Sequence, residues 1–342
     1  MSFYQFIRPL LFRLEAEHAH QLTLFLVRLA GGTSPINCIL RHVFSAPPRP
    51  LQAFGLNFSN PIGLAAGYDK DGLGWRGLAT LGFGHIEIGT VTPQPQAGNP
   101  RPRIFRLVED QALINRMGFP NQGEQFVARQ LMKPRPNNLV LGVNIGKNKD
   151  TPLEGADQDY LQLLQTFAPL ADYLAINVSS PNTVGLRRLQ ERQALDRLLS
   201  QLWAEREALP GSLHHRPPLL VKLAPDLSEA ELAEALDVIL ANRMDGVIAT
   251  NTSLSRQGLR SPLRSEIGGL SGKPLFSLCL DRVKMIYKFT GGKIPIIGVG
   301  GIFDANGVQQ MLDAGATLVQ IYTGLVYKGP GLVKKILADL VK

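Results

Sequence analysis

Cysteine is nearly absent from the sequence: only Cys38 and Cys279 occur among 342 residues. Two cysteines this far apart form neither a disulfide framework nor a zinc-ligand spacing, which is typical of a protein from a reducing compartment, and we expect no metal site. Long hydrophobic runs are also missing, since none reaches the ~18 apolar residues of a membrane-spanning helix. The basic residues do not cluster with aromatics, so the net charge of +8 favours an acidic small molecule or an anionic lipid surface over nucleic acid.

Residues 1–45 differ from the rest of the chain because their apolar residues recur with the period of an amphipathic helix. One such pattern runs over 3–14 and a second over 22–30, where Gly31 and Gly32 end it. Arginines accompany both apolar faces, and a basic amphipathic helix pair is typical of a segment that lies in a membrane interface. Packing of both helices against the following domain is the alternative. The interspersed charges argue against a signal peptide.

A proline-rich linker at 45–50 leads into a region where strand-like and helix-like segments alternate. The strand-like runs are 62–66, 85–90, 139–145, 173–178, 219–223, 246–251, 294–299 and 318–323. Eight such units over roughly 280 residues predict an α/β fold of the (β/α)8, or TIM-barrel, class with a small amino-terminal helical extension. An open doubly wound sheet is disfavoured because no Gly-x-Gly-x-x-Gly motif follows the first strand. Short hairpins are predicted at 51–59 and 103–114.

Polar residues follow these strands where each ends, which is where barrels carry their active sites. The clearest example is the segment 177–182, Asn-Val-Ser-Ser-Pro-Asn, in which two amides flank a serine. Amides offer both donors and an acceptor, so together they suit a flat heterocycle that carries both. An ordinary strand-to-helix turn uses the same residue types. The other strand ends and the second hairpin add Lys70, Thr90, Asn144, Lys222, Thr250, Asn251, Thr252 and the segment 115–119.

Glycines distinguish the last two strands, which end in the segments 298–301 (Gly-Val-Gly-Gly) and 322–324 (Tyr-Thr-Gly). In barrels, the loops after strands seven and eight commonly bind a phosphate through backbone N–H groups. Lys222 lies between Val221 and Leu223, so strand alternation directs it to the opposite face, inward. An inward lysine requires an anion, and the N1/O2 edge of a reduced flavin is one candidate. A solvated surface lysine is the alternative.

The motifs at the strand ends resemble those of the dihydroorotate dehydrogenase family. They stand in the family's order along essentially the whole chain: GLAAGYDKDG (63–72), GNPRPRIFRL (98–107), NRMGF (115–119), NVSSPNT (177–183), VKLAPD (221–226), NTSL (251–254), GGLSGKPL (268–275), GVGGI (298–302) and LVQIYTGLVYKGP (318–330). Serine at position 180 and the helical extension resemble the membrane-associated, quinone-dependent class 2, whereas the soluble class usually has cysteine there and lacks the extension.

The resemblance implies an FMN-dependent oxidoreductase that converts (S)-dihydroorotate to orotate in pyrimidine (UMP) biosynthesis, with Ser180 as the catalytic base. The implied FMN contacts are Ala66, Gly67, Tyr68, Asp69, Lys70, Thr90, Asn144, Asn177, Lys222, Thr250, Gly272, Gly301, Tyr322 and Thr323. The implied substrate contacts are Lys70, Asn115, Arg116, Met117, Gly118, Phe119, Asn177, Asn182, Asn251 and Thr252. The implied quinone path comprises His20, Arg106 and Tyr322.

The resemblance also implies a peripheral protein on the cytoplasmic face of the inner membrane. Residues 1–45 would then be a quinone-access domain and residues 46–342 the FMN-binding catalytic barrel. The expected partners are dihydroorotate or orotate, a membrane quinone and an anionic membrane surface, and we expect a monomer that binds no nucleic acid. Two alternatives are a soluble relative that reduces NAD or fumarate, against which Ser180 and the extension argue, and a catalytically silent flavin- or phosphate-binding membrane protein, against which the intact polar set argues.

Overall fold

The computed structural model describes residues 3–32, 34–210 and 216–340. Residues 1, 2, 33, 211–215, 341 and 342, which fall within the two expected domains, lie outside the described residues. The described helices are α1 (Phe3–Leu11), α2 (Ala16–Gly32), α3 (Ser34–Phe44), α4 (Trp75–Leu78), α5 (Glu124–Leu131), α6 (Ala156–Phe167), α7 (Arg192–Ala208), α8 (Glu229–Ala241), α9 (Phe276–Thr290), α10 (Ala305–Asp313), α11 (Thr323–Lys328) and α12 (Leu332–Asp339). The described strands are β1 (Leu51–Ala53), β2 (Leu56–Phe58), β3 (Ile62–Leu64), β4 (His85–Val91), β5 (Ile104–Leu107), β6 (Ala112–Asn115), β7 (Val140–Ile145), β8 (Tyr173–Asn177), β9 (Leu219–Leu223), β10 (Gly246–Ala249), β11 (Gly269–Gly272), β12 (Ile296–Val299) and β13 (Leu318–Ile321).

Eight parallel strands close into a barrel in the order β3, β4, β7, β8, β9, β10, β12 and β13. These are the eight strands that the sequence predicts, so the TIM-barrel class is confirmed. Their residues are almost all buried because helices cover the outer face while side chains fill the inner one. Every strand therefore delivers its carboxyl end to the same rim of the barrel.

Large side chains fill the barrel interior, and glycines on neighbouring strands make room for them. His85 on β4 and Tyr173 on β8 are fully buried. A Cβ atom at Gly63 would lie 2.0 Å from His85 Nε2, and one at Gly142 would lie 2.1 Å from the Tyr173 ring. Neither position accepts a side chain because the interior is packed at crystal-like density. The amino end of the barrel is thus closed, which leaves the carboxyl rim for ligands.

Both predicted hairpins are present at the ends of the barrel. The pair β1–β2 covers the amino end, where the ring of Phe58 packs edge-on against His85 at 5.5 Å between centroids. The pair β5–β6 lies near the carboxyl rim and gains β11 as a third antiparallel strand, which the sequence does not predict. The partner of β11 is far away in sequence, so no local pattern marks this pairing.

Three helices precede the barrel among residues 3–32 and 34–50, so the prediction of two is wrong in number. Gly31 and Gly32 do end a helix, as predicted, but a further helix, α3, begins at Ser34. Helix α1 is held to the barrel by Tyr4 Oη, which donates to the Val326 carbonyl at 2.6 Å. Helix α2 packs closely on α4, since a Cβ atom at Gly77 would lie 1.9 Å from the carbonyl oxygen of Val27. No single helix in the described ranges is long and apolar enough to cross a membrane, although α2 and residues Pro35–Phe44 together pass that test with a bend of 110°.

Candidate active site

One cavity opens at the carboxyl rim, between the strand ends and the three-stranded sheet. Most of the residues singled out from the sequence line it. They are Ala66, Gly67, Lys70, Thr90, Asn115, Met117, Gly118, Phe119, Asn177, Ser180, Asn182, Lys222, Thr250, Asn251, Thr252, Gly272, Gly301, Tyr322 and Thr323. Residues from the ends of seven barrel strands, all except β7, and from the hairpin thus meet in one place, as expected for a barrel active site.

Six of the singled-out residues do not line the cavity: His20, Tyr68, Asp69, Arg106, Arg116 and Asn144. The carboxylate of Asp69 accepts hydrogen bonds from the N–H groups of Leu73 and Gly74, both at 2.8 Å, and so shapes the loop after β3. The guanidinium of Arg116 turns away and pairs with Glu266 at 2.7 Å. The side chains of Asp69 and Arg116 therefore support the loops around the cavity rather than its wall.

Amide side chains at the rim hold one another in place. Asn177 Nδ2 donates to Thr90 Oγ1 at 2.8 Å and to Asn144 Oδ1 at 3.0 Å, behind the cavity wall. Asn251 Nδ2 donates to Asn177 Oδ1 at 3.2 Å and to Ser179 Oγ at 3.0 Å. These bonds orient donors and acceptors from four strand ends before any ligand arrives, which reduces the cost of ordering them on binding.

Ser180 lies in the cavity wall and is nearly buried. Its Oγ accepts a hydrogen bond from the Asn182 N–H at 3.2 Å, while Asn182 Nδ2 donates to Asn115 Oδ1 at 3.1 Å. Among the described residues, no carboxylate or imidazole bonds to the Ser180 hydroxyl, so it has no partner of the kind that activates a serine nucleophile. Thr183, in the same loop, has a buried Oγ1 without a partner in the described part of the chain. The sequence reasoning missed this hydroxyl, which does not line the cavity.

Glu87 is the most important residue that the sequence reasoning missed. It lies inside the barrel, fully buried, and its Oε1 is 3.1 Å from Lys222 Nζ. It also accepts hydrogen bonds from Asn144 Nδ2 at 2.8 Å, from Gln320 Nε2 at 2.8 Å and from Tyr173 Oη at 3.2 Å. Lys222 is therefore inward-facing, as alternation predicts, but its anionic partner belongs to the protein itself.

The carboxyl of Glu87 is held in its charged form by this surrounding. Burial by itself raises its pKa, but the charge of Lys222 and the hydrogen bonds of Gln320, Lys222 and Asn144 lower it overall. Glu87 stands between Ile86 and Ile88 in β4, so the alternation argument applied to Lys222 also places this carboxylate inward. Lys222 also lines the cavity, which puts one end of a buried ion pair at its floor.

Lys70 supplies a second positive charge to the cavity. Its Nζ donates to the carbonyl of Gly67, the residue that turns the chain after β3. Desolvation lowers the pKa of Lys70 to about 8, with the nearby charge of Arg103 acting in the same direction and carboxylates acting against it. An anion in the cavity would stabilise the charged form of the Lys70 ammonium group. The cavity therefore favours an acidic ligand.

Backbone forms another part of the cavity wall, after β12. Gly300 and Gly301 have φ angles of 132° and 67°, which L side chains rarely adopt. A Cβ atom at Gly301 would also lie 2.6 Å from the Phe276 nitrogen at the start of α9. Glycine is required here for conformation and for close packing, and it lets the main chain border the cavity directly. Such a wall suits a phosphate group.

An aromatic cluster connects the cavity with helix α2. The ring of His20 packs edge-on against Tyr68 at 4.9 Å, and Tyr68 packs against Tyr322 at 6.0 Å between centroids. Tyr322 lines the cavity. Desolvation, followed by the charge of Lys70, lowers the pKa of His20 to about 3, so its imidazole is neutral. Arg106 Nη1 donates to the Leu11 carbonyl at the end of α1, at 3.1 Å.

A closed parallel barrel with an amide-rich, positively charged cavity at its carboxyl rim defines an α/β-barrel enzyme of anionic ligands. The dihydroorotate dehydrogenase family profile matches residues 51–342. The chain is 49% identical over 344 residues to the dihydroorotate dehydrogenase (quinone) of Roseiflexus sp. (strain RS-1), covering 100% of this chain and 94% of that one. It is 48% identical over 338 residues to the enzyme of the same name from Coxiella burnetii (strain Dugway 5J108-111), covering 98% and 96%.

A crystal structure of the Eimeria tenella DHODH in complex with ferulenol has the same fold, with a TM-score of 0.87 and 38% identity over 95% of this chain and 90% of that one. The chain belongs to the dihydroorotate dehydrogenase family, and it is an oxidoreductase. The family resemblance read from the strand-end motifs is thereby confirmed.

Proposed function

We propose that this protein oxidises (S)-dihydroorotate to orotate with bound FMN and passes the electrons to a membrane quinone, in pyrimidine biosynthesis. The observation that carries the proposal is the single cavity in which Ser180, Lys70, Lys222 and the asparagines meet. The same-named activity of relatives that match the full length of the chain supports it. The proposed acceptor is a quinone because Ser180 and the amino-terminal helical extension both resemble the quinone-dependent class of the family.

The residues of the cavity fit FMN. Lys222, Thr90 and Asn177 offer the donors and acceptors that a polar, planar ring edge needs, and the glycine wall at 300–301 suits a phosphate. When bound, FMN would supply the acceptor for the hydride that leaves substrate C6. Asn144 would act from behind the wall by orienting Asn177, and Gly272 and Thr323 would border the phosphate side.

The substrate residues fit dihydroorotate by the same reasoning. Lys70 faces its carboxylate, while Asn115, Asn182 and Asn251 match its carbonyl and N–H groups. Loss of the C5 proton to Ser180 Oγ and of hydride from C6 leaves the C5=C6 double bond of orotate. Because a hydroxyl is a weak base, Ser180 must pass the proton on to water as it receives one. The cavity would thus bind, orient and deprotonate the substrate.

Anaerobic mixing with dihydroorotate tests the proposed reaction. We expect the purified protein to be yellow, and its oxidised-flavin absorbance to disappear on mixing, with one orotate formed per flavin. A decyl-substituted quinone should then restore the colour. A colourless protein, or a flavin that dihydroorotate does not bleach, would contradict the proposal. Recolouring by NAD or fumarate but not by the quinone would overturn the choice of acceptor alone.

The amino-terminal helices expose an apolar surface that a soluble protein would not need. Its members are exposed on α1, α2 and α3: Phe6, Ile7, Leu10, Leu22, Phe25, Leu26, Leu29, Ile36, Ile39 and Val43. Arg13, Arg28 and Arg41 add positive charge on the same helices or next to them. Apolar insertion together with attraction to anionic headgroups would hold the protein at a membrane. We propose residues 1–45 as the membrane and quinone-access domain, with His20, Tyr322 and Arg106 near the quinone, at the cytoplasmic face of the inner membrane.

Replacing Phe25 and Leu29 by glutamine tests the membrane proposal, since both side chains are about half exposed. We expect binding to anionic vesicles and turnover with a long-tailed quinone to fall sharply, while dihydroorotate still bleaches the flavin. The matched control replaces Met132 and Phe289, which are exposed on the barrel, by glutamine. Equal loss in both double variants, or in neither, would argue against the proposal.

A further inference from the structure

A buried ion pair joins helix α2 to the loop that precedes β5. Glu17, in the first turn of α2, is 3% exposed, and its carboxylate accepts two hydrogen bonds from Arg103, from Nη2 at 2.8 Å and from Nε at 3.0 Å. Arg101 also reaches Glu17 at 3.0 Å, but its own side chain is 54% exposed. Burial raises the pKa of Glu17, but the two arginines outweigh it and lower the pKa overall. A bidentate, enclosed pair of this kind is geometrically specific.

The other side of the Arg103 guanidinium holds the loop itself. Its Nη1 donates to the carbonyl oxygens of Ala97 at 2.7 Å and Asn99 at 2.8 Å. One side chain therefore fixes the helix and the loop relative to each other. The rigid fork of an arginine suits this bridging role better than a lysine would.

Asn99 then connects the loop to the cavity. Its N–H donates to the Met117 carbonyl at 2.9 Å, and its Nδ2 donates to the carbonyls of Arg116 at 3.0 Å and Asn182 at 3.2 Å. Met117 and Asn182 line the cavity. A Cβ atom at Gly118 would lie 2.8 Å from the Asn99 amide, so the loop and the segment 115–119 are in close contact.

The same helix also reaches the cavity from another side. One turn beyond Glu17, His20 packs on Tyr68, which packs on the cavity residue Tyr322. Helix α2 thus contacts the aromatic side of the cavity directly and the segment 115–119 through Arg103 and Asn99. A shift of α2 would displace both the aromatic side of the cavity and the segment 115–119, because packed contacts transmit displacements.

We propose that Glu17 and Arg103 are positioning residues that couple the docking of helix α2 to the binding of the acidic substrate or its product. When α2 is seated, the pair holds Asn99 against the segment 116–117 and Asn182, and the cavity keeps its binding geometry. When α2 moves, the segment loosens and the ligand binds less tightly. Because such coupling is reciprocal, ligand binding must also stabilise the seated position of α2. This inference rests on the proposed function of the cavity.

The variant Glu17→Gln of the flavin-loaded, full-length protein tests the coupling, because glutamine keeps the shape but not the charge. We expect the orotate dissociation constant to rise about 5–150-fold, the usual range for such coupling. The flavin-bleaching rate at saturating dihydroorotate should stay near that of the unaltered protein, since Ser180 is untouched. Arg101→Gln is the matched control: it removes the more exposed partner of Glu17 and leaves the Arg103 contacts in place, and we expect less than about threefold change.

Hydrogen exchange on the unaltered protein supplies a test that needs no variant. Orotate should slow amide exchange in residues 16–32 as well as in 97–119, and Glu17→Gln should abolish the effect in 16–32. Unchanged exchange in 16–32 on orotate binding, or unaltered orotate affinity in a folded Glu17→Gln protein, would overturn the coupling alone. Failure of orotate to bind the unaltered protein would overturn the proposed function of the cavity together with the coupling.

Discussion

Replacement of Ser180 by alanine is expected to slow flavin bleaching by dihydroorotate about 10²–10⁴-fold, the usual contribution of a positioned proton acceptor. The hydroxyl accepts a hydrogen bond from the Asn182 N–H, and within the described residues no carboxylate or imidazole bonds to it. The bleaching rate in a single anaerobic turnover measures this step without involving the quinone. FMN content and orotate affinity should remain unchanged.

Ser180→Cys distinguishes a lost base from a disturbed loop. A thiol becomes a thiolate far more readily than a hydroxyl is deprotonated, so this variant should recover activity relative to Ser180→Ala as the pH rises. Identical pH profiles for the two variants would point to loop geometry instead. An alanine variant that bleaches within a few-fold of the unaltered rate would refute the assignment of Ser180 as the base.

Replacement of Lys222 by methionine is expected to lower both the midpoint potential of the bound flavin and its reduction rate. The cation lines the cavity floor, where it would offset negative charge that develops on reduction. A charge interaction of about 1.4 kcal/mol corresponds to about 30 mV for a two-electron couple. Spectroelectrochemical titration measures the shift directly, and an unchanged potential would mean that Lys222 serves only the barrel core.

Glu87 must be considered in the same experiment because Lys222→Met leaves a fully buried carboxylate without its cation. Breaking a buried pair in this way costs about 3–5 kcal/mol of stability. The double variant Lys222→Met/Glu87→Gln removes both charges, so its thermal unfolding midpoint should recover towards that of the unaltered protein. If the flavin potential recovers fully together with the stability, the single variant acted through strain and not through the lost charge near the flavin.

The residues at the strand ends could be predicted from the sequence because a barrel carries its active site at the carboxyl ends of its strands, and apolar runs in the sequence mark those ends. Asn177, Ser180 and Asn182 follow a buried apolar run that Pro181 ends, and all three line the cavity. The inward direction of Lys222 followed from alternation alone. Helix α3 was not predicted, although Ile36, Ile39 and Val43 recur at helical spacing after the glycines that end α2.

The barrel was predictable from local sequence patterns, because eight buried runs separated by helices have few other ways to bury their backbone and apolar side chains. The same patterns predicted which residues stand at the rim, since the strand period decides the face on which each side chain lies. Three pairings became apparent only in the folded chain: Glu87 with Lys222, β11 with β6, and Glu17 with Arg103. These pairs join residues far apart in the chain, so their geometry arises from how the elements pack, and no local period encodes it.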